Sequence, residues 1–103
     1  MPHRVLLLLI LKVLQAGPLH GYAIAQRIHI LSSDVLKVEE GALYPALQKL
    51  LLKGWAKAEW GVSETKRQVR FYRLTPAGRK QLHAELESHD RVQSAIQSVL
   101  RNA

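Results

Sequence analysis

The chain has 103 residues, 48% of them hydrophobic, which suits one domain with a single core. Cysteine is absent, which excludes disulfides and thiolate metal sites and favours a reducing cytoplasm. The formal net charge of +7 suits a polyanionic partner, although a solvated basic surface explains the charge equally well.

The first predicted helix covers about residues 2–15 and is apolar almost all round. Its run Val5–Leu11 meets Lys12 too soon to cross a bilayer, which takes roughly 20 apolar residues. No small-residue cleavage site follows, so we interpret the run as part of a cytoplasmic protein with no membrane segment rather than a signal peptide. Because a small monomer offers little surface to cover such a helix, we expect a second subunit to bury it.

The second predicted helix covers about residues 20–31, after Gly17 and Pro18 have ended the first. Ile24, Ile28 and Leu31 recur at helical spacing and are predicted to face the core. Residues 32–34 are typical of a turn, so a helix-turn-helix pair is predicted with the third helix.

The third predicted helix lies within residues 39–54. Pro45 has no N–H to donate and therefore predicts the first turn, which places the helix start near Gly41 or Ala42. Gly54 fits the left-handed position that ends many helices. The predicted core stripe consists of Leu43, Ala46, Leu47 and Leu50.

The outer face of this third helix carries Tyr44 at its edge, followed by Pro45, Gln48 and Lys49. Major-groove readers place their contacts on the front of such a helix, so we predict that Tyr44 positions a DNA backbone and Gln48 reads a base edge. The alternative is an ordinary polar surface. Leu52, on the same side, either packs against the following hairpin or is a scattered surface leucine.

Two strands are predicted after this helix. Trp55–Trp60 alternates, with Ala56, Ala58 and Trp60 on one face, and Val69–Leu74 also suits a strand. The connection 61–68, in which Gly61 is assigned to a turn, is predicted to form a wing.

The predicted hairpin is strongly basic. Lys66 and Arg67 at its tip, with Arg70 and Arg73 on the return strand, would reach phosphates or a minor groove. The alternative is a solvated loop in which one of the arginines pairs with Glu59 or Glu64.

The last predicted helix begins at Thr75 as N-cap, followed by Pro76, and runs to about Leu100. Its apolar stripe has little of its own chain to cover it, which predicts a homodimer. His89 lies on this line: if it is buried neutral, mild acid would weaken the dimer, and the favoured alternative is a ring at the edge of the stripe, in water. The predicted dimer contacts are Leu7, Leu8, Leu11, Leu86, His89, Val92, Ile96, Val99 and Leu100.

No catalytic constellation is recognisable. The five histidines lack metalloprotease spacing, and His83-Ala84-Glu85 lacks the cysteines of a zinc deaminase. No phosphate-binding glycine loop occurs either, so we expect no enzyme, no metal and no cofactor.

The chain contains three motifs: LILKVLQAGPLHGYAIAQRI, EEGALYPALQKLLLKGW and FYRLTPAGRKQL. In their order and spacing, these motifs resemble those of the PadR-like transcriptional regulators. The resemblance implies a winged helix-turn-helix whose C-terminal helix dimerises, as in the branch with a single C-terminal helix. It also implies repression from pseudo-palindromic operators.

The resemblance extends to single residues. Tyr22, Tyr44, Lys49 and the wing cations match family positions that approach DNA, whereas Ala42 replaces a common threonine. The drug site of some members lies between tryptophans of the C-terminal helices and is not transferable, because Trp55 and Trp60 precede that helix. A small-molecule inducer is therefore left open.

The sequence thus predicts a mainly α fold with a small β-hairpin (α+β), in which residues 1–74 bind DNA and residues 75–103 dimerise. The reading helix is placed at about 42–53 and the wing at 55–74. The predicted function is a sequence-specific DNA-binding repressor. The alternatives are a winged helix for protein–protein interaction, which would not need a basic wing, and a non-specific architectural binder, which would not need a reading helix. The predicted DNA contacts are Tyr22, Tyr44, Pro45, Gln48, Lys49, Lys66, Arg67 and Arg70.

Overall fold

The computed structural model describes residues 1–103 and contains four helices and a three-stranded antiparallel sheet. The last strand in the sequence lies between the other two, and the predicted α+β winged helix-turn-helix architecture is confirmed. None of the helices is both long and apolar enough to cross a membrane. The elements are α1 (His3–Leu14), β1 (Leu19–His20), α2 (Gly21–Leu31), α3 (Glu40–Leu52), β2 (Ala56–Val62), β3 (Gln68–Leu74) and α4 (Pro76–Asn102).

Helix α1 lies at the centre of the core and contacts α2, α3, α4 and β3. Leu7, Leu8 and Leu11 are therefore buried within a single copy of the chain. The expectation that one copy cannot cover this helix is wrong, because four elements of the same chain surround it. The reason for placing these three leucines in a dimer contact no longer holds.

Helix α2 packs on α1 through Ile24 and Ile28, which are buried as predicted. Leu31 was predicted to face the core but is exposed. It is the last residue of the helix, and Leu36 and Val38 from the following connection pack against the core instead.

Helix α3 begins at Glu40, earlier than predicted, with extended Glu39 as its N-cap residue. Pro45 is consequently the sixth helical residue and lies in the second turn, so its placement in the first turn is wrong. The missing N–H would have bonded the carbonyl of Gly41, which is exposed and open to water. Gly54 has φ +73°, as predicted. The whole predicted core stripe is buried: Leu43, Ala46, Leu47 and Leu50.

Strands β2 and β3 pair from Ala56 opposite Leu74 to Val62 opposite Gln68. Gly61 is therefore a strand residue, and its assignment to a turn is wrong. A Cβ atom on Gly61 would lie 2.7 Å from the ring of Phe71, so the glycine leaves room for that ring. The connecting loop is reduced to residues 63–67.

The start of α4 is joined tightly to the end of α3 and the base of the hairpin. The Thr75 hydroxyl accepts a hydrogen bond from the Gly78 N–H at 3.0 Å, as expected of an N-cap. The same hydroxyl donates to the Gly54 carbonyl at 2.6 Å, and the Thr75 N–H donates to the Trp55 carbonyl at 3.0 Å. A Cβ atom on Gly78 would overlap the Trp55 carbonyl oxygen, so the two segments meet backbone to backbone.

The remainder of α4 leaves the core. Leu82 is fully buried and Leu86 partly buried. Beyond them the apolar stripe of Val92, Ile96, Val99 and Leu100 is exposed in the single chain.

The contact at Gly78 predicts that Gly78→Ala destabilises the fold. The added methyl group must push apart two backbones, and overpacking of this kind costs about 1–3 kcal/mol. Urea unfolding at a fixed protein concentration measures the change. The control is Gly41→Ala, since a Cβ atom there meets nothing within 4 Å and should not lower the free energy of unfolding. Equal stability of Gly78→Ala and wild type would contradict the close contact.

Candidate nucleic-acid interface

The structure brings three of the predicted contact residues, Tyr22, Tyr44 and Arg70, around one hollow of about 250 Å³. The hollow lies where the start of α2, the front of α3 and the hairpin meet. We call it the aromatic cleft, and its main side chains are His20, Tyr22, Tyr44, Trp60, Arg70 and Tyr72.

The two exposed tyrosines of the cleft carry hydroxyls without a hydrogen-bond partner in the protein. Tyr44 sits beside the first residue of α2, and its hydroxyl would lie 3.4 Å from a Cβ atom on Gly21. Tyr22 follows in the same first turn. Both hydroxyls can therefore bond a ligand near a helix N-terminus, where free N–H groups favour an anion.

Arg70 projects toward the cleft and has no carboxylate within 4.0 Å. Its guanidinium carbon lies 6.0 Å from the ring centre of Trp60 and 5.8 Å from that of Tyr72. Arg73 lies on the other face of β3, where it forms an ion pair with Glu59 at 3.0 Å. Pairing with an acid thus holds for Arg73 and not for Arg70, because residues three apart on a strand point to opposite faces.

The outer face of α3 exposes Pro45 and Gln48, and the Gln48 amide bonds no protein group. Lys49 lies on the opposite flank from Tyr44, where it borders a separate hollow together with Arg4 and Glu85. Leu52 is 78% exposed, so it is a surface leucine and does not pack against the hairpin.

The hairpin tip is shaped by Ser63. Its N–H donates to the Arg67 carbonyl at 2.8 Å, its carbonyl accepts from the Lys66 N–H at 2.9 Å, and its hydroxyl accepts from the Arg67 N–H at 3.2 Å. The side chains of Lys66 and Arg67 are exposed and form no ion pair. Glu64 pairs with neither. The tip therefore presents two free cations on a fixed backbone turn.

Three side chains of the cleft, those of His20, Trp60 and Tyr72, are not among the predicted contacts. His20 caps α2 by accepting a hydrogen bond from the Ala23 N–H at 3.4 Å, which its sequence does not indicate. Trp60 shares a face with Ala56 and Ala58 as predicted, but β2 extends beyond the core and leaves the indole 68% exposed. Alternation along the strand predicts the correct face for Trp60, but it cannot predict where along β2 the core beneath that face ends.

No group of three or more histidine and carboxylate side chains lies close enough together to hold a metal ion. The free groups of this surface are cations, hydroxyls and one amide. Such a set can bind phosphates and base edges.

The sequence pattern of the "Transcriptional regulator PadR-like family" matches residues 10–84. The chain is 29% identical over 93 residues to the negative transcriptional regulator PadR of Bacillus subtilis (strain 168), covering 90% of this chain and 51% of that protein. The chain spans 24% and 51% of the length of two curated relatives that it matches.

Two solved structures extend the likeness. A transcriptional regulator from Clostridium thermocellum is 30% identical, with a TM-score of 0.82 and coverage of 89% of each chain. Bacillus subtilis PadR in complex with operator DNA is 32% identical, with a TM-score of 0.71 over 82% of this chain and 48% of that one. The resemblance inferred from the three sequence motifs is confirmed, and the chain belongs to the PadR-like family of transcriptional regulators.

Proposed function

We propose that this chain is a sequence-specific repressor that binds a pseudo-palindromic DNA operator as a homodimer. The observation that carries the proposal is the unneutralised polar surface formed by the aromatic cleft, the outer face of α3 and the hairpin tip. Arg70, Lys66 and Arg67 have no acidic partner there, and charges left free in this way suit a polyanion. The related Bacillus subtilis PadR, solved with operator DNA, supports the same partner.

In this proposal α3 enters the major groove and presents Gln48 to a base edge. Tyr22, Tyr44 and Arg70 bind the sugar-phosphate backbone from the cleft, with Pro45 against the groove wall. Lys49 meets the backbone on the other flank of α3. Lys66 and Arg67 at the hairpin tip reach a neighbouring phosphate or the minor groove.

The homodimer is proposed from the exposed stripe of α4. Val92, Ile96, Val99 and Leu100 leave an apolar line uncovered, and a second copy would cover it. Leu86 and His89 extend this line toward the core, and His89 and Val92 border a hollow of about 210 Å³ beside Leu8. Residues 75–103 would thus join two DNA-binding units formed by residues 1–74, although the first turns of α4 also complete the core.

A selection experiment tests the proposal as a whole. The protein is incubated with a pool of random duplexes, and bound DNA is amplified and sequenced over several rounds. We expect enrichment of an inverted repeat. In a transcription assay, the protein should then repress a promoter that carries this repeat. Binding without sequence enrichment would favour a non-specific architectural protein, and absence of salt-dependent binding would favour a protein–protein interaction module.

The two residues at the front of α3 should separate positioning from readout. Gln48→Ala should cost about 1–3 kcal/mol on the selected duplex while sparing a scrambled one, because only the former offers the correct base edge. Tyr44→Phe should weaken both by about 1 kcal/mol, through loss of one hydrogen bond. Paired titrations of both variants measure this difference. Equal losses of Gln48→Ala on both duplexes would remove base readout from this residue.

The hairpin tip should contribute affinity rather than specificity. Replacing both Lys66 and Arg67 by alanine should weaken binding to selected and random duplex by similar factors. The slope of affinity against salt should flatten by up to about two units, if each side chain neutralises one phosphate. Arg73→Ala is the matched control, because that cation is already paired with Glu59. An unchanged slope in the double variant would assign the tip to plain solvated surface.

The dimer prediction concerns Ile96, which is 45% exposed on the α4 stripe. Ile96→Glu should shift the protein toward monomer, because it places a charge within the apolar contact. Ser98→Glu adds the same charge on the other side of the helix and should leave the dimer intact. Sedimentation measures both variants. A folded wild-type monomer at micromolar concentration would overturn the proposed dimer.

A further inference from the structure

Trp60 is a large aromatic residue that is not part of the hydrophobic core. Its indole is 68% exposed, although its strand partner Arg70 and the cleft lie directly beside it. Two residues further along β2, Val62 is equally exposed and lies near the hairpin tip. The position of Trp60 at the rim of the cleft distinguishes it from a scattered surface residue.

The Trp60 ring can restrain the orientation of the Arg70 side chain. An arginine side chain has about 2 kcal/mol of rotamer entropy, part of which is lost whenever it is fixed on a phosphate. Here the guanidinium carbon lies 6.0 Å from the centre of the Trp60 ring and 5.8 Å from the centre of the Tyr72 ring, and both rings attract a cation. Tyr72 is buried and therefore fixed, whereas Trp60 supplies the second, exposed wall.

A ring differs from a carboxylate as a partner for an arginine. Glu59 forms an ion pair with Arg73 at 3.0 Å and neutralises its charge, which makes that group less available to a polyanion. A ring attracts the guanidinium through its face, without a formal negative charge, and leaves the net charge of the arginine intact. Arg70 is thus restrained while its charge and donors remain available.

We propose that Trp60 is a positioning residue for DNA binding, which together with Tyr72 holds Arg70 in the orientation that meets a backbone phosphate. The inference rests on the proposed function, because it assigns the partner of Arg70 as DNA. Trp60 acts through the arginine, so its contribution exists only while Arg70 is present.

The test compares Trp60→Ala, Trp60→Phe, Arg70→Ala and the double alanine variant. Each is titrated against the selected duplex and a random duplex over a series of salt concentrations. Trp60→Ala should weaken binding about threefold to fivefold, the size of an exposed cation–π interaction, and Trp60→Phe should recover most of the loss. Arg70→Ala should weaken binding about tenfold or more, as expected when a charged hydrogen bond is lost.

The double variant tells positioning from direct contact. If Trp60 acts through Arg70, adding Trp60→Ala to Arg70→Ala should cost nothing further. The salt slope should flatten by about 0.9 for Arg70→Ala, the value for one phosphate, and Trp60→Ala should move toward it. Val62→Ala, equally exposed on the same face of β2, is the control and should change neither affinity nor slope.

Three outcomes would overturn the inference. Full affinity of Trp60→Ala would remove any role for the ring, and an equal further loss in the Arg70→Ala background would make Trp60 a direct contact instead. A loss that Trp60→Phe shares in full would exclude a general ring–cation role. Absence of DNA binding by the wild type is a different result, which would overturn the proposed function itself. Thermal unfolding of all variants checks that the fold is retained.

Discussion

The backbone contact between Gly78 and Trp55 is the constraint on which the arrangement of the molecule depends. Because Gly78 has no side chain, the first turn of α4 can pack directly against the Trp55 carbonyl at the base of the hairpin. Thr75 completes the joint, since its hydroxyl links the end of α3, at Gly54, to the first turn of α4. Helix α3, the hairpin and α4 therefore meet at one point.

The second constraint is the central position of α1. Its leucines are covered by α2, α3, α4 and β3, so the core is complete within one chain. An apolar stripe remains exposed on the far half of α4, from Val92 to Leu100, besides exposed residues elsewhere such as Leu31, Leu52 and Trp60. The single copy thus has a complete core of its own and one uncovered apolar stripe on α4. This separation lets the core tolerate changes in the proposed dimer, because no core residue depends on a partner.

Local signals in the sequence were sufficient for most of the fold. Thr75-Pro76 and Gly54 mark helix ends through properties of the residues themselves, and the stripe of α3 follows from helical periodicity. The failures concern contacts between distant segments. Strand β1 is two residues long and exists only because Leu19 and His20 pair with Tyr72 and Phe71. The assignment of Gly61 to a turn is wrong because the feature that requires a glycine there, the ring of Phe71, lies on another strand. The burial of α1 likewise depends on four elements that periodicity cannot assemble.

The predicted site shows the same division between local and tertiary information. Residue type alone identifies Tyr44, Arg70 and the two cations of the hairpin tip. The sequence does not separate Arg70 from Arg73, whereas in the fold Arg70 has aromatic neighbours and Arg73 pairs with a carboxylate.

The side chains of the hairpin tip and those of the cleft differ in how far they are restrained. At the hairpin tip the backbone is fixed by Ser63 while Lys66 and Arg67 are free to follow any phosphate. In the cleft, rings and helix starts limit the positions of Arg70 and Tyr44. Under the proposed function, a restrained group can report the register of the backbone and a free one cannot, so the cleft would align α3 in the groove while the tip supplies attraction alone.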